Sequence, residues 1–272
     1  MEGPEAAAAN RTRGSANGYN QDMRTPLIAG NWKMYKTPAE TREFFARFLP
    51  LVEKSAHADI AICPPFVDIP AAVEAAAGSR VGIGAQNCYW QNKEGAFTGE
   101  VTPAMLRAAG CTYVIIGHSE RRQYFGETDE TVLRRTRAAL EAGLTPIVCV
   151  GELLEEREAG RTNEVLQRQF EGGIAGLGAE EFARIVIAYE PVWAIGTGKV
   201  ATPETAEDAH RFLRGLAGAK YGKAAADALR ILYGGSVKPD NIRGLMAQPD
   251  LDGALVGGAS LKPEDFAAIV NF

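Results

Sequence analysis

Eight short apolar runs recur along this chain, and each is followed by a longer amphipathic stretch. The runs are "LIAGNW" from residue 27, "ADIAIC" from 58, "VGIGAQ" from 81, "TYVIIG" from 112, "TPIVCV" from 145, "RIVIAY" from 184, "LRILYG" from 229 and "DGALVG" from 252. Turn residues bound them and most are rich in Val and Ile, the pattern of a strand. They read as continuous apolar stretches, which is how a strand covered on both faces reads. Their spacing of roughly 30 residues is what a parallel βαβ unit requires. Eight such units with no composition shift between them predict an α/β fold closed as a (β/α)8 barrel, with eight parallel strands and an outer ring of helices. The alternative is an open doubly wound sheet. That fold would carry a dinucleotide fingerprint after its first strand, and "AGNWKMYK" is not one.

The intervening segments carry helix-start signals. "TPAETREFFARFLPLVEK" opens with Thr37 as cap, Pro38 in the first turn and Glu40 three residues after the cap. "TPETAEDAHRFLRGLAG" repeats the device from Thr202 and Pro203, and "KPDNIRGLMAQ" and "KPEDFAAIVNF" also place proline near a first turn. One domain over residues 24–272 is expected. Residues 1–23, "MEGPEAAAANRTRGSANGYNQDM", have no periodic apolar face and read as a disordered extension, with Met23 a candidate start. The run Ala6–Ala9 is too short for a signal-peptide core, and acids precede it. "NRT" at Asn10–Thr12 matches a glycosylation acceptor by chance in such a tail.

A net charge of −5 with no dense basic patch argues against nucleic acid as a partner. No apolar run approaches the roughly 18 residues of a membrane span. Cys63, Cys88, Cys111 and Cys149 are scattered without metal-type spacing, so buried reduced thiols and a cytoplasmic location are expected. No carboxylate cluster points to a metal and no motif points to a cofactor, so neither is expected. The acidic "GETDE" at Gly126–Glu130 sits at a helix start, where acids complement the dipole.

Active groups of a barrel sit at the carboxyl ends of its strands. Those ends present Asn31 and Lys33, Gln86 and Asn87, then His118, Ser119 and Glu120, then Glu190, Gly234–Ser236, and Gly257 with Gly258. Two GG pairs at adjacent strand ends, with the Ser236 hydroxyl, suit a phosphate, because glycine lets backbone N–H groups approach an anion. Gly196 is a further candidate donor. His118 starts a helical turn, and a helix amino terminus disfavours imidazolium, so a neutral, hydrogen-bond-donating ring is expected. His57 and His210 read as surface or packing residues. Glu190 ends the run "IVIAY", where an unused carboxylate is costly to bury and a used one is a strong base. "PVWAIGTGK" after it reads as a lid, stiffened at Pro191 and Trp193 and freed at Gly196 and Gly198. Lys33 suits either of two roles, a cation steadying negative charge or a Schiff-base nucleophile. Base, neutral electrophile, cation and phosphate grip together suggest moving a proton next to a carbonyl in a phosphorylated small molecule.

"AGNWKMYK", "GHSERR", "AYEPVWAIGTGK", "YGGSV" and "LVGGASL", with the spacing between them, resemble the triosephosphate isomerase family from about Leu27 to Phe272. The resemblance implies the TIM-barrel fold and interconversion of dihydroxyacetone phosphate and glyceraldehyde 3-phosphate. It implies Glu190 as the carbon base and His118 as the electrophile. Lys33 and Asn31 would stabilise and orient the enediolate, and Glu120 would support Lys33 and proton traffic. Gly196, Ser236, Gly257 and Gly258 would hold the phosphate. The family is usually a homodimer, and "QNKEGAFTGEVTPAML" resembles its interface loop, with Gly95, Phe97 and Thr98 at the tip. The chain departs from the family at Val200, where the second lid hinge commonly has threonine, and at Leu153, where threonine is frequent. A Schiff-base lyase acting through Lys33 and a phosphate-sugar binding module are the alternative readings.

Overall fold

The computed structural model describes residues 24–195 and 201–272. The extension at residues 1–23, Gly196, Gly198 and Val200 lie outside the described residues. Eight parallel strands close into a barrel in sequence order: β1 (Leu27–Asn31), β2 (Asp59–Cys63), β3 (Val81–Ala85), β4 (Tyr113–Ile116), β5 (Thr145–Val150), β6 (Val186–Tyr189), β7 (Arg230–Tyr233) and β8 (Gly253–Val256). The ring closes where β1 pairs with β8, Leu27 opposite Gly253. Helices α1 (Pro38–Val52), α2 (Ile69–Ala76), α3 (Pro103–Ala108), α4 (Ser119–Tyr124), α5 (Asp129–Glu141) and α6 (Leu154–Glu158) follow the first five strands. The rest are α7 (Thr162–Gly173), α8 (Ala179–Phe182), α9 (Pro203–Tyr221), α10 (Lys223–Ala228), α11 (Ile242–Met246) and α12 (Pro263–Val270).

The expected caps form. Thr37 and Glu40 close a capping box on α1, and the Thr202 hydroxyl accepts from Thr205 N on α9. Pro263 occupies the first turn of α12. The "KPDN" segment differs: α11 begins at Ile242 with Asn241 as its N-cap, so Pro239 lies in a turn ahead of the helix. That turn is closed by Asn241 Oδ1 accepting from Lys238 N at 2.9 Å, which competes with helix at these residues.

Both faces of the strands are buried, and the period of two separates two cores. Leu27, Ala29, Ala61, Ile115, Ile147, Val186, Ala188, Leu232 and Leu255 fill the barrel interior. Ile28, Ile60, Ile62, Val114, Val148, Ile187 and Ile231 pack outward against the helices, with Trp32, Phe44, Phe45, Phe48 and Phe266 in the same layer. The inward set continues past the strand ends. On β1 it runs Leu27, Ala29, Asn31, and on β6 it runs Val186, Ala188, Glu190. At the opposite end the same register brings Arg230 Nη1 to Asp59 Oδ2, 2.8 Å apart. The barrel thus delivers Asn31 and Glu190 to its carboxyl-end mouth by backbone geometry alone.

Candidate active site

Glu190 is buried, with 2 % exposure, one residue past β6. It fits because its neighbours lack side chains. A Cβ on Gly151 would lie 1.7 Å from Glu190 O, and one on Gly234 would lie 2.9 Å from Glu190 Cγ. Two nitrogen donors meet its carboxylate. Oε2 accepts from Ser119 N at 3.0 Å, and Oε1 lies 2.8 Å from His118 Nε2. Burial alone would raise the carboxyl group. The adjoining imidazole, its hydrogen bond, the Ser119 N–H and the Cys149 thiol outweigh it and hold Glu190 below the ordinary range.

His118 is the N-cap of α4 and is also buried. Its Nδ1 accepts from Glu120 N at 3.2 Å. A ring nitrogen that accepts carries no proton, so the proton of the ring sits on Nε2 and is donated to Glu190. Burial pushes the imidazolium down, while the carboxylates of Glu190 and Glu120 pull it up, and these alone balance upward. The bond at Nδ1 opposes them: protonating Nδ1 would turn an acceptor into a donor facing the N–H groups of a helix start. This hydrogen bond favours a neutral ring that donates from Nε2, although the Glu120 carboxylate also lies 3.6 Å from Nδ1.

Lys33 follows β1 in a left-handed conformation, φ 52°. Such a backbone costs a non-glycine residue on the order of 1 kcal/mol and persists only where neighbours hold it. They do. Lys33 N donates to Asn31 Oδ1 at 3.0 Å, and Gln86 Nε2 donates to Lys33 O at 2.8 Å and to Cys63 O at 2.9 Å. The ammonium is committed to Glu120 Oε1 at 2.5 Å. An ammonium paired this way is held as an electrostatic group, the first of the two roles expected for it. The structure pairs Glu190 with His118 across β4 and β6, and Lys33 with Glu120.

Gly234, Gly235 and Ser236 after β7, and Gly257 and Gly258 after β8, line one cavity of 770 Å³ with Asn31, Lys33, His118, Glu120 and Glu190. The β8 loop is anchored from β1, where Trp32 Nε1 donates to Ser260 O at 3.0 Å. All the described site residues expected from sequence thus meet at one mouth. Among the described residues no group of His, Cys, Asp and Glu is arranged to hold a metal.

Phe97 and Thr98 are exposed at the tip of the loop after β3, where Phe97 packs on Tyr89 with ring centroids 4.8 Å apart. They stand outside the described cavity. Leu153 is the exposed N-cap of α6. His57 is exposed and His210 is buried in α9, as expected of surface and packing residues.

Two functional-looking acids escaped the sequence reading. Glu127, read as an acid complementing a helix dipole, is instead buried and pairs with Arg121 and with Arg135 Nη1. Glu152 is fully buried, and its Oε1 accepts from Trp193 Nε1 at 2.9 Å and from Tyr189 OH at 3.1 Å. It thereby steadies both sides of Glu190. Its only sequence signal is its place two residues past β5, on the outward face shared by Val148 and Val150.

A buried carboxylate, a neutral imidazole and an ion-paired ammonium around a glycine-lined cavity define an acid–base enzyme on a (β/α)8 barrel. The family model described as triosephosphate isomerase matches residues 26–272. The chain is 68 % identical over 250 residues to a triosephosphate isomerase of Solibacter usitatus, covering 92 % of this chain and all of that one. It is 58 % identical to one of Geobacter metallireducens, covering 92 % of this chain and 99 % of that one. A crystal structure of triosephosphate isomerase from Bartonella henselae superposes with a TM-score of 0.82 at 39 % identity, covering 91 % of this chain and 98 % of that one. This chain belongs to the triosephosphate isomerase family.

Proposed function

We infer that the chain is an aldose–ketose isomerase that interconverts dihydroxyacetone phosphate and D-glyceraldehyde 3-phosphate through an enediol(ate), in glycolysis and gluconeogenesis. The observation that carries the assignment of roles is the His118–Glu190 contact at 2.8 Å. Base and electrophile are each other's partner, so one displacement frees both. A substrate entering between them leaves the Glu190 carboxylate to take a proton from carbon. It leaves the Nε2–H of neutral His118 to polarise the carbonyl and then move protons between the oxygens. Separating Glu190 from its donors also raises the basicity of this buried carboxylate, as the reaction needs.

Lys33, fixed by Glu120 and by its strained backbone, faces negative charge as it develops on the enediolate oxygen, and Asn31 orients that oxygen. Ser236, Gly257 and Gly258 grip the phosphate through hydroxyl and main-chain N–H groups, with Gly196 completing the set. The residues supply every acid, base and electrostatic role themselves, so the reaction is read as using neither a metal nor a cofactor.

The active form is read as a homodimer joined through the loop around Gly95, Phe97 and Thr98. The support is a set of exposed apolar side chains that a lone barrel would leave in water: Met34 at 92 % exposure, Tyr35 at 57 % and Phe97 at 41 %. The cytoplasm is the assigned location, supported by four free buried cysteines. No helix among the described residues is long and apolar enough to cross a membrane.

A coupled assay that follows glyceraldehyde 3-phosphate to dihydroxyacetone phosphate tests the reading. Turnover by the purified chain is expected. Well-folded protein that binds inorganic phosphate without turnover would make it a binding module instead.

A further inference from the structure

The chain carries a net charge of −5, so its far field repels a phosphate dianion. Capture then depends on local positive charge at the mouth of the cavity. Three described lysines line that cavity: Lys33, Lys238 and Lys262. Two have acidic partners. Lys33 is bound to Glu120, and Lys262 Nζ lies 3.8 Å from Asp265. Lys238 is exposed and its ammonium makes no ion pair with any described residue, even though Asp240 lines the same rim. Its charge is uncommitted.

Its backbone, by contrast, is fixed. Asn241 Oδ1 accepts from Lys238 N at 2.9 Å, while Asn241 Nδ2 donates to Ser236 O at 3.0 Å. The carbonyl of Lys238 accepts from the N–H groups of Asn241 and Ile242, both at 3.2 Å. One amide side chain thus ties Lys238 to Ser236, the hydroxyl assigned to the phosphate.

We propose that Lys238 is a further substrate-binding residue, which captures the phosphate dianion at the rim and passes it to the main-chain grip, and that Asn241 is the positioning residue that holds Lys238 and Ser236 in register. This rests on the isomerase reading. Rim charges act on association and its salt dependence more than on the bound state. The effect therefore belongs to kcat/KM and not to the chemical step.

The test is steady-state turnover of glyceraldehyde 3-phosphate, with competition by inorganic phosphate, in Lys238→Gln and Asn241→Ala. Lys54→Gln, in the exposed segment after α1, is the charge-matched control. At about 20 mM ionic strength Lys238→Gln is expected to lower kcat/KM about five-fold and to weaken phosphate inhibition similarly. At about 0.5 M salt the gap is expected to close to under two-fold, because screening removes what the mutation removed. Asn241→Ala is expected to weaken phosphate inhibition further, since Ser236 loses its anchor as well. Lys54→Gln is expected to match the parent chain. A low-salt kcat/KM and phosphate inhibition in Lys238→Gln equal to the parent's would overturn the proposal, as would a loss indifferent to salt. Unchanged phosphate inhibition in Asn241→Ala would overturn its positioning role. Absence of turnover in the parent chain would sink the isomerase reading instead, and phosphate binding would still report on Lys238.

Discussion

Nε2 of His118 stands 2.8 Å from Oε1 of Glu190, and Nδ1 of the same ring accepts a backbone N–H from Glu120 at 3.2 Å. The second contact favours one reading of the first. With Nδ1 committed as an acceptor, the pair is a neutral imidazole donating to a carboxylate, not an imidazolium ion pair. In ¹⁵N NMR of the free protein at pH 7, His118 is expected to show one protonated and one bare ring nitrogen, with Nε2 the protonated one. Two protonated nitrogens would contradict the assignment.

Gln86 is the clamp on the strained Lys33. Its single Nε2 serves two carbonyls, those of Lys33 and Cys63. Gln86→Ala is expected to cost about 1–3 kcal/mol, because it leaves two acceptors without their donor. Gln86→Glu is expected to cost more at pH 8, since a carboxylate oxygen would face two carbonyl oxygens. Urea unfolding at fixed protein concentration measures both. Equal stability of the three proteins would mean that Lys33 is held by other contacts.

His210 is buried in α9, with Nδ1 3.2 Å from Asp250 O, and burial pushes it down to about 3. The unfolded chain binds this proton near pH 6.5, so the native state loses stability as pH falls from there toward 3, at about 1.4 kcal/mol per unit. His210→Gln keeps a donor for Asp250 O and removes the titration. Between pH 6.5 and 5 its stability is expected to fall by about 2 kcal/mol less than that of the parent chain. Identical slopes in urea unfolding would show that His210 is not held neutral.

Much of this site was legible in the sequence because strand periodicity is local. Val186, Ala188 and Glu190 share one face of one strand, so an acid after "IVIAY" must meet the barrel mouth. The glycines of "YGGSV" and "LVGGAS" marked close backbone approach in the same way. What stayed hidden were pairings set by three-dimensional closure. Nothing within "GHSERR" says that His118 meets Glu190 while Glu120 meets Lys33. That choice follows from which way each side chain leaves a tilted strand. Glu127 read only as an acid complementing a helix dipole because its partners Arg121 and Arg135 come from different helices. Proline in "KPDN" promised a helix start, but the Asn241 side chain bonded the backbone first.

Glu190→Gln tests the central claim most directly. The amide keeps the size of the side chain and can still accept at one oxygen, but it cannot take a proton from carbon. The coupled assay is expected to show kcat reduced by at least about 10³-fold, while inorganic phosphate binds with an affinity within a few-fold of the parent chain. Turnover within ten-fold of the parent chain would mean that another group removes the proton.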